Sequence, residues 1–291
     1  MPRRTSLLRT ALPRDPFSGF ADFDQLPARH AGDEYRLIQG DSIALMQRIP
    51  DASVDLIFAD PPYNLSNGGT TCQSGRRVSV DKGAWDASRG VERDHAFNRR
   101  WLAECRRVLK PSGTIWVSGT QHVIFSLGFA MQELGYHLLN TVTWYKPNAS
   151  PNLACRMFTH STEIVIWAAP EKKKPLQHTF HYPEMKAENG GKQMRDVWAL
   201  TDDNAGIVWT LPVPAKSEKS EGRHPTQKPI ALLDRIVVAS SSPGDVVLDP
   251  FNGSGTTGVA ALARGRRYVG IDLEDSYLDL TARRIATVLR R

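Results

Sequence analysis

The sequence predicts an α/β fold with a mostly parallel sheet covered by helices on both faces, the doubly wound arrangement. Two observations carry that reading. Short apolar runs alternate with stretches of helical periodicity from Tyr35 onward. Two of those runs end on an acid followed by turn-forming residues, Asp60-Pro-Pro and Asp249-Pro-Phe, at the end of a strand where open α/β sheets bind ligands.

Each element follows from its pattern. Val54-Asp-Leu-Ile-Phe-Ala-Asp60 reads as a buried strand closed by prolines. Phe97, Trp101, Cys105, Val108 and Leu109 keep helical spacing, and Lys110-Pro-Ser-Gly113 is expected to stop that helix. Thr114–Ser118 is the next strand, and Val123 to Leu134 a helix ended by Gly135. His137–Tyr145 and Glu163–Ala169 read as strands flanking a loop with Pro147 and Pro151. Residues 171–223 are polar and broken by four prolines, so an insert is expected there rather than more sheet. Then come helix 230–240, strand 246–249, helix 256–263 stopped by Gly265, strand 268–273 and a final helix with Tyr277, Leu278, Ala282, Ile285 and Leu289 on its apolar face. The expected divisions are a tail over 1–30, one half-domain over 31–170, the insert over 171–223, and a second half-domain over 224–291.

Composition narrows the class. The 291 residues are enough for a large core, and no apolar run approaches the ~20 residues of a membrane span. Three cysteines without metal-ligand spacing suggest a reducing, cytoplasmic setting with no disulfide framework and no metal. Net charge is +6, with a local excess between Arg76 and Lys110, where ten Arg/Lys face five Asp/Glu. That excess suits a phosphate-facing surface without requiring one. The insert is nearly balanced, and His178, His181, Lys186, Lys192, Arg195 and Trp198 are its candidates for contacts to a bound partner, with solvated loop positions as the alternative.

Gly253-Ser-Gly255-Thr-Thr-Gly258 satisfies the G-x-G-x-x-G pattern of dinucleotide loops, yet it stands near the end of the chain, whereas such loops usually follow a first strand. Asp60-Pro61-Pro62-Tyr63-Asn64 is stiff, poor in donors and rich in carbonyls. An acid, rigid carbonyls and an exposed aromatic suit a planar amine. A plain strand-terminating turn fits Asp-Pro-Pro equally well when that segment is taken alone.

Together the two segments resemble the S-adenosylmethionine (SAM) dependent amino-methyltransferases of DNA, in the permuted β class with an Asp-Pro-Pro-Tyr motif. The resemblance spans about residues 35–285 and includes Gly40-Asp41, Trp85-Asp86, Arg107–Gly113, Trp144–Asn148, Thr162–Trp167, His224–Pro229 and Gly270-Ile-Asp272. It implies a seven-stranded, Rossmann-like methyltransferase sheet, circularly permuted so that the amine-binding corner precedes the cofactor loop, with a small target-recognition insert between them. Rewiring of this kind is tolerable because packing depends on which strands are neighbours.

By that resemblance, Asp60, Pro61, Pro62 and Tyr63 are catalytic: Asp60 and the Pro61 carbonyl accept the amino hydrogens, and Tyr63 stacks on a flipped base. Asp41, Thr226, Lys228, Asp249, Phe251, Asn252, Gly253, Ser254, Gly255, Thr256 and Asp272 are the expected SAM residues. Asp249 is expected at the methionine ammonium, Asp272 at the ribose hydroxyls, Asp41 at the adenine, and Lys228 at the methionine carboxylate or a backbone carbonyl. Gly258 reads as a helix-packing glycine. Double-stranded DNA is the implied partner and the nucleoid the implied location, while a homodimer and a companion restriction endonuclease are left open. Asp rather than Ser at position 60 favours adenine N6 over cytosine N4. C5 chemistry is excluded because it needs a thiol, typically after proline, and none of the cysteines follows proline. A nicotinamide dehydrogenase would leave Asp-Pro-Pro-Tyr unexplained, and a non-catalytic nucleic-acid binder would not need both motifs intact.

Overall fold

The computed structural model of the protein describes residues 23–66, 70–73, 76–79, 83, 86–146, 149, 151–198, 221–222 and 227–290. In chain order the elements are β1 (Ala28–Gly32), β2 (Tyr35–Gln39), α1 (Ser42–Met46), β3 (Val54–Ala59), β4 (Thr70–Gln73), β5 (Arg76–Ser79), α2 (Val91–Val108) and β6 (Leu109–Gly119). They continue as α3 (Ile124–Glu133), β7 (His137–Tyr145), β8 (Thr162–Ala169), α4 (Tyr182–Glu188), β9 (Val197–Trp198), α5 (Ile230–Ser240), β10 (Val246–Asp249), α6 (Thr256–Ala263), β11 (Arg267–Asp272) and α7 (Asp275–Leu289). The main sheet runs β1-β2-β11-β10-β3-β6-β8-β7-β9, and β4 and β5 form a separate hairpin. The expected seven strands are those from β2 to β7, and the short strands β1 and β9 extend the two edges.

From β2 to β6 every neighbour is parallel, whereas β8 runs antiparallel to both β6 and β7. The permutation is visible at the centre. There β10, from late in the chain, lies between its sequence neighbour β11 and the early strand β3, with Val247 beside Leu56 and Leu248 beside Ile57. Both acidic corners therefore leave adjacent strands at the same edge.

Apolar residues on both sides of each central strand explain the two helical layers. Ile57, Ile115, Val117, Leu248, Val269 and Ile271 face α1, α2 and α3, where Met46, Trp101, Leu102 and Leu127 complete one core. Leu56, Phe58, Trp116, Val247 and Tyr268 face α5, α6 and α7 in the second core. The helix α2 starts earlier than its apolar stripe, at Val91, because Glu92 and Asp94 in the first turn suit the positive helix terminus. It ends at Val108, and residues 110–113 are taken up in β6 through a bulge, the pairing stepping from Val54–Leu109 to Leu56–Thr114.

The first part of the expected insert does not stand apart. Helix α4 follows a backbone bond from His181 N–H to the Ala239 carbonyl, Met185 is buried, and β9 pairs with β7. Trp198, read from sequence as a partner-contact candidate, is 4% exposed and packs 5.9 Å from the Trp116 ring with the Arg235 guanidinium 5.1 Å away. Phe23 and Leu26 are buried ahead of β1. Among the described residues no helix is long and apolar enough to cross a membrane.

Gly258 sits inside α6 where the helix lies on β11, and a Cβ there would be 2.5 Å from the Tyr268 ring. Gly258→Ala should therefore overpack this seam, at a cost of about 1–3 kcal/mol. Thermal melts are expected to show a Tm lowered by several degrees; an unchanged Tm would contradict the packing role.

Candidate active site

Asp60 is the first residue after β3, and two prolines fix the chain that leaves it. Tyr63 returns over the strand end and donates its hydroxyl to Asp60 Oδ1 at 2.5 Å, while the same oxygen lies 2.8 Å from Ser118 Oγ on β6. Lys228, just before α5, reaches in from the opposite end of the sequence. Its Nζ donates to Asp60 Oδ2 at 2.6 Å and to the Tyr63 hydroxyl at 3.1 Å. Behind it stands Glu163 of β8, with Oε2 3.6 Å from Lys228 Nζ and Oε1 paired to Lys146.

Charge here follows from burial and pairing. Burial alone lowers the Lys228 ammonium, but Asp60 and Glu163 outweigh it and hold that group above the ordinary lysine range. Burial, then Asp60, pushes the Tyr63 hydroxyl well up, so it stays a donor. Burial raises Glu163, but Lys228 and Lys146 prevail and keep it below the usual carboxylate value. Two expectations change accordingly. Tyr63 is 7% exposed rather than open to solvent, and Lys228, expected at the methionine carboxylate or a backbone carbonyl, has Asp60 as its partner within the chain. A lysine with 6% exposure must pair its charge, and these carboxylates are within reach.

Asp86 shapes the corner from below. Its carboxylate accepts the backbone N–H groups of Tyr63 (2.8 Å), Asn64 (2.9 Å) and Leu65 (3.0 Å) and the Ser66 hydroxyl (3.1 Å). That cradle holds Asn64 at a positive φ of 57°.

The second corner follows β10. Asp249 is 2% exposed; Oδ1 accepts Phe251 N–H at 3.0 Å and Oδ2 accepts the Thr257 hydroxyl at 2.6 Å. Burial pushes its carboxyl up to about 7, against the lowering effect of those two bonds. Asp272, at the end of β11, accepts Gly253 N–H at 2.7 Å and Glu274 N–H at 3.0 Å. The Asn252 side chain is spent on the loop itself, accepting from the Tyr268 hydroxyl and donating to Thr281 Oγ1 and the Gly253 carbonyl. Phe251 lies edge-on to Trp101, ring centroids 5.2 Å apart. Asp41 caps α1 by accepting Ala44 N–H at 2.8 Å.

One crevice of about 480 Å³ is lined by both corners. Asp60, Pro61, Pro62 and Tyr63 form one wall. Asp41, Asp249, Phe251, Asn252, Gly253, Ser254, Thr256 and Asp272 form the other, and Lys228 lines the crevice on the Asp60 side. Gly255 is not on the lining. Its φ is +68°, and a Cβ would meet Thr281 Cγ2 at 2.2 Å, so glycine is needed there for turn and packing. Thr226 lies outside the described residues.

The basic stretch divides. Arg107 is tied to Glu104 and Asp51, Lys110 to Asp55 and Arg106 to the Pro170 carbonyl, all away from the crevice, whereas Arg89 and Arg100 line it. Within the insert, Lys186, Lys192 and Arg195 are exposed, and half-buried His178 packs edge-on to Trp167. Sequence reading missed Ser118 and singled out neither Glu163 nor Asp86 individually. The one available signal was position: Ser118 and Glu163 lie at strand ends on the edge that carries Asp60.

Fold and crevice define a class: an open α/β sheet that takes its ligand across the carboxyl ends of central strands at the point where chain order reverses. The sequence profile of the DNA methylase family, which groups N6 and N4 methyltransferases, matches residues 54–283, and the chain belongs to that family. It is 50% identical over 249 residues to the Type II methyltransferase M2.LlaDCHI of Lactococcus lactis subsp. cremoris, covering 86% of this chain and 88% of that protein. It is 48% identical, with the same coverage, to the Type II methyltransferase M2.DpnII of Streptococcus pneumoniae. Among solved structures, the crystal structure of the M1.HpyAVI-SAM complex shares the fold, with a TM-score of 0.59 and 23% identity over 86% of this chain and 98% of that one.

Asp86→Ala should release three backbone N–H groups at once. A charged acceptor contributes about 1.5–3 kcal/mol per hydrogen bond, so chemical denaturation is expected to show a loss of at least about 2 kcal/mol. Wild-type stability would remove the cradle from the account.

Proposed function

We propose that this enzyme transfers the methyl group of SAM to the exocyclic N6 amine of adenine in a specific sequence of double-stranded DNA, with the target base turned out of the helix. The observation that carries the reading is that the Asp60 corner and the Asp249 loop leave neighbouring parallel strands and line one crevice.

The residues present fit the cofactor. Asp249 is buried with no cation among the groups that shift its carboxyl, a setting suited to an ammonium. Asp272 and Asp41 offer carboxylate acceptors for hydroxyl and amino hydrogens, and Phe251 offers an apolar wall. Bound there, SAM supplies an electrophilic methyl group.

The chain's part is to aim a poor nucleophile. The adenine amine has its lone pair drawn into the ring, and acceptors placed on both amino hydrogens favour a pyramidal nitrogen as charge develops. An ionised carboxylate has about four acceptor sites. Tyr63 and Lys228 take one site each on Asp60, which leaves capacity for the amine, and the Pro61 carbonyl is the second acceptor. Lys228 pairs with one oxygen of Asp60, and the Tyr63 hydroxyl, bonded to the other, fixes the orientation of the carboxylate. The target must leave the stack because its amine is inaccessible inside a duplex. Arg89 and Arg100 at the crevice suit the flanking phosphates. The Type II designation of both relatives supports pairing with a cognate restriction endonuclease. Cytosine N4 would need the same amine geometry; Asp at position 60 is what favours adenine.

Asp60→Ala should reduce transfer to duplex DNA by about a hundred- to a thousandfold, the scale of one lost transition-state hydrogen-bond partner, with SAM affinity within a fewfold of wild type. Retained turnover in a radiolabel assay would refute the assignment, and mass spectrometry of the product nucleoside separates N6-methyladenine from N4-methylcytosine. A pH series tests Asp249. Its carboxyl is raised, so in the free protein it holds a proton until about pH 7 and must lose it to pair with an ammonium. Calorimetry should show SAM affinity rising from pH 5.5 to 7.0 by up to about tenfold per unit, and Asp249→Asn should flatten that rise and weaken binding. A flat wild-type profile would count against the pairing.

A further inference from the structure

We propose that Glu163 is a positioning residue for methyl transfer: by sharing the Lys228 ammonium, it stops that cation from saturating Asp60 and leaves Asp60 able to accept the target amine. This rests on the reading above that Asp60 is the amine acceptor.

The topology explains how Glu163 reaches the site. Within β2 to β7, β8 alone runs antiparallel, so its amino end, not its carboxyl end, lies at the crevice edge. Glu163 is its second residue, and β7 ends beside it at Tyr145, opposite Thr162, so that Lys146 follows directly. The result is a row of alternating charge, Asp60, Lys228, Glu163 and Lys146, with two carboxylates balancing two ammoniums. Side-chain exposures of 16%, 7%, 11% and 23% make the row largely dry, where unbalanced charge is costly.

Lys228 has three N–H donors. Two are used on Asp60 Oδ2 and the Tyr63 hydroxyl, and Glu163 Oε2 stands 3.6 Å away as a purely electrostatic partner. With Glu163 neutral, two ammoniums would share one carboxylate, and Lys228 would settle fully on Asp60. Asp60 would then be the weaker acceptor. The charged and titratable groups that face Asp60 are Tyr63 from its own corner, Lys228 from before α5, Glu163 from β8 through Lys228, and Asp249 from β10.

The test uses the full chain with Glu163→Gln, which keeps shape and an acceptor for Lys146, and Glu163→Asp, which keeps the charge. Steady-state kinetics on a duplex carrying the target sequence should show kcat for Glu163→Gln reduced at least about tenfold. KM for SAM should stay within about twofold. Glu163→Asp should recover much of kcat. Adding Lys146→Met to Glu163→Gln, which rebalances the row, should do the same. Wild-type kcat in Glu163→Gln would overturn the proposal. So would a loss of kcat that neither compensating variant repairs, or one matched by an equal rise in KM for SAM, the mark of a merely structural residue. Turnover retained by Asp60→Ala would instead sink the underlying assignment of Asp60, so the two failures are distinguishable.

Discussion

The ammonium of Lys228 is the point on which the Asp60 corner depends. It is buried, it cannot be left unpaired, and its partners come from two separate parts of the chain: Asp60 and the Tyr63 hydroxyl in the corner after β3, and Glu163 on β8. Pairing fixes all of them together. Asp60 is held in one orientation, Tyr63 is held as a donor, and the segment ahead of α5 is anchored across the mouth of the sheet. Removing either carboxylate upsets the charge balance around this buried ammonium, so these groups act as a unit.

The sheet supplies the edge on which this unit forms. Because β10 lies between β11 and β3, the loop after Asp249 and the corner after Ala59 are neighbours although most of the chain separates them. Reversal of β8 brings a residue from the start of a strand to the same edge. Permutation leaves these relations intact, since parallel pairing and face-to-face packing depend only on which strands touch.

Different physical demands shape the two walls of the crevice. The Asp60 wall is rigid: prolines, an Asp86 cradle on three consecutive N–H groups and a buried hydroxyl leave it little freedom. The glycine wall is shaped by close approach. Gly255 must lie against Thr281, Gly258 against Tyr268, and the Asn252 amide is consumed in holding the loop to β11 and α7. A motif read as cofactor contact is therefore in part a packing motif, while Gly253, Ser254 and Thr256 line the crevice with Asp249 and Asp272.

Much of this was legible in the residues. The period of the apolar pattern determined the doubly wound class, because a central strand must be apolar on both faces; the Asp-Pro-Pro-Tyr corner and the late glycine loop declared themselves by residue type and order. Short elements were not legible: α1, β1 and β9 have too few residues for a period, and β9 forms only because β7 offers an edge. Nor were partners. Nothing local marks Lys228 as the companion of Asp60, Glu163 as the companion of Lys228, or Trp198 as core rather than contact surface. Those facts depend on burial and on distances between segments far apart in sequence, and only the packed sheet decides which charges must meet.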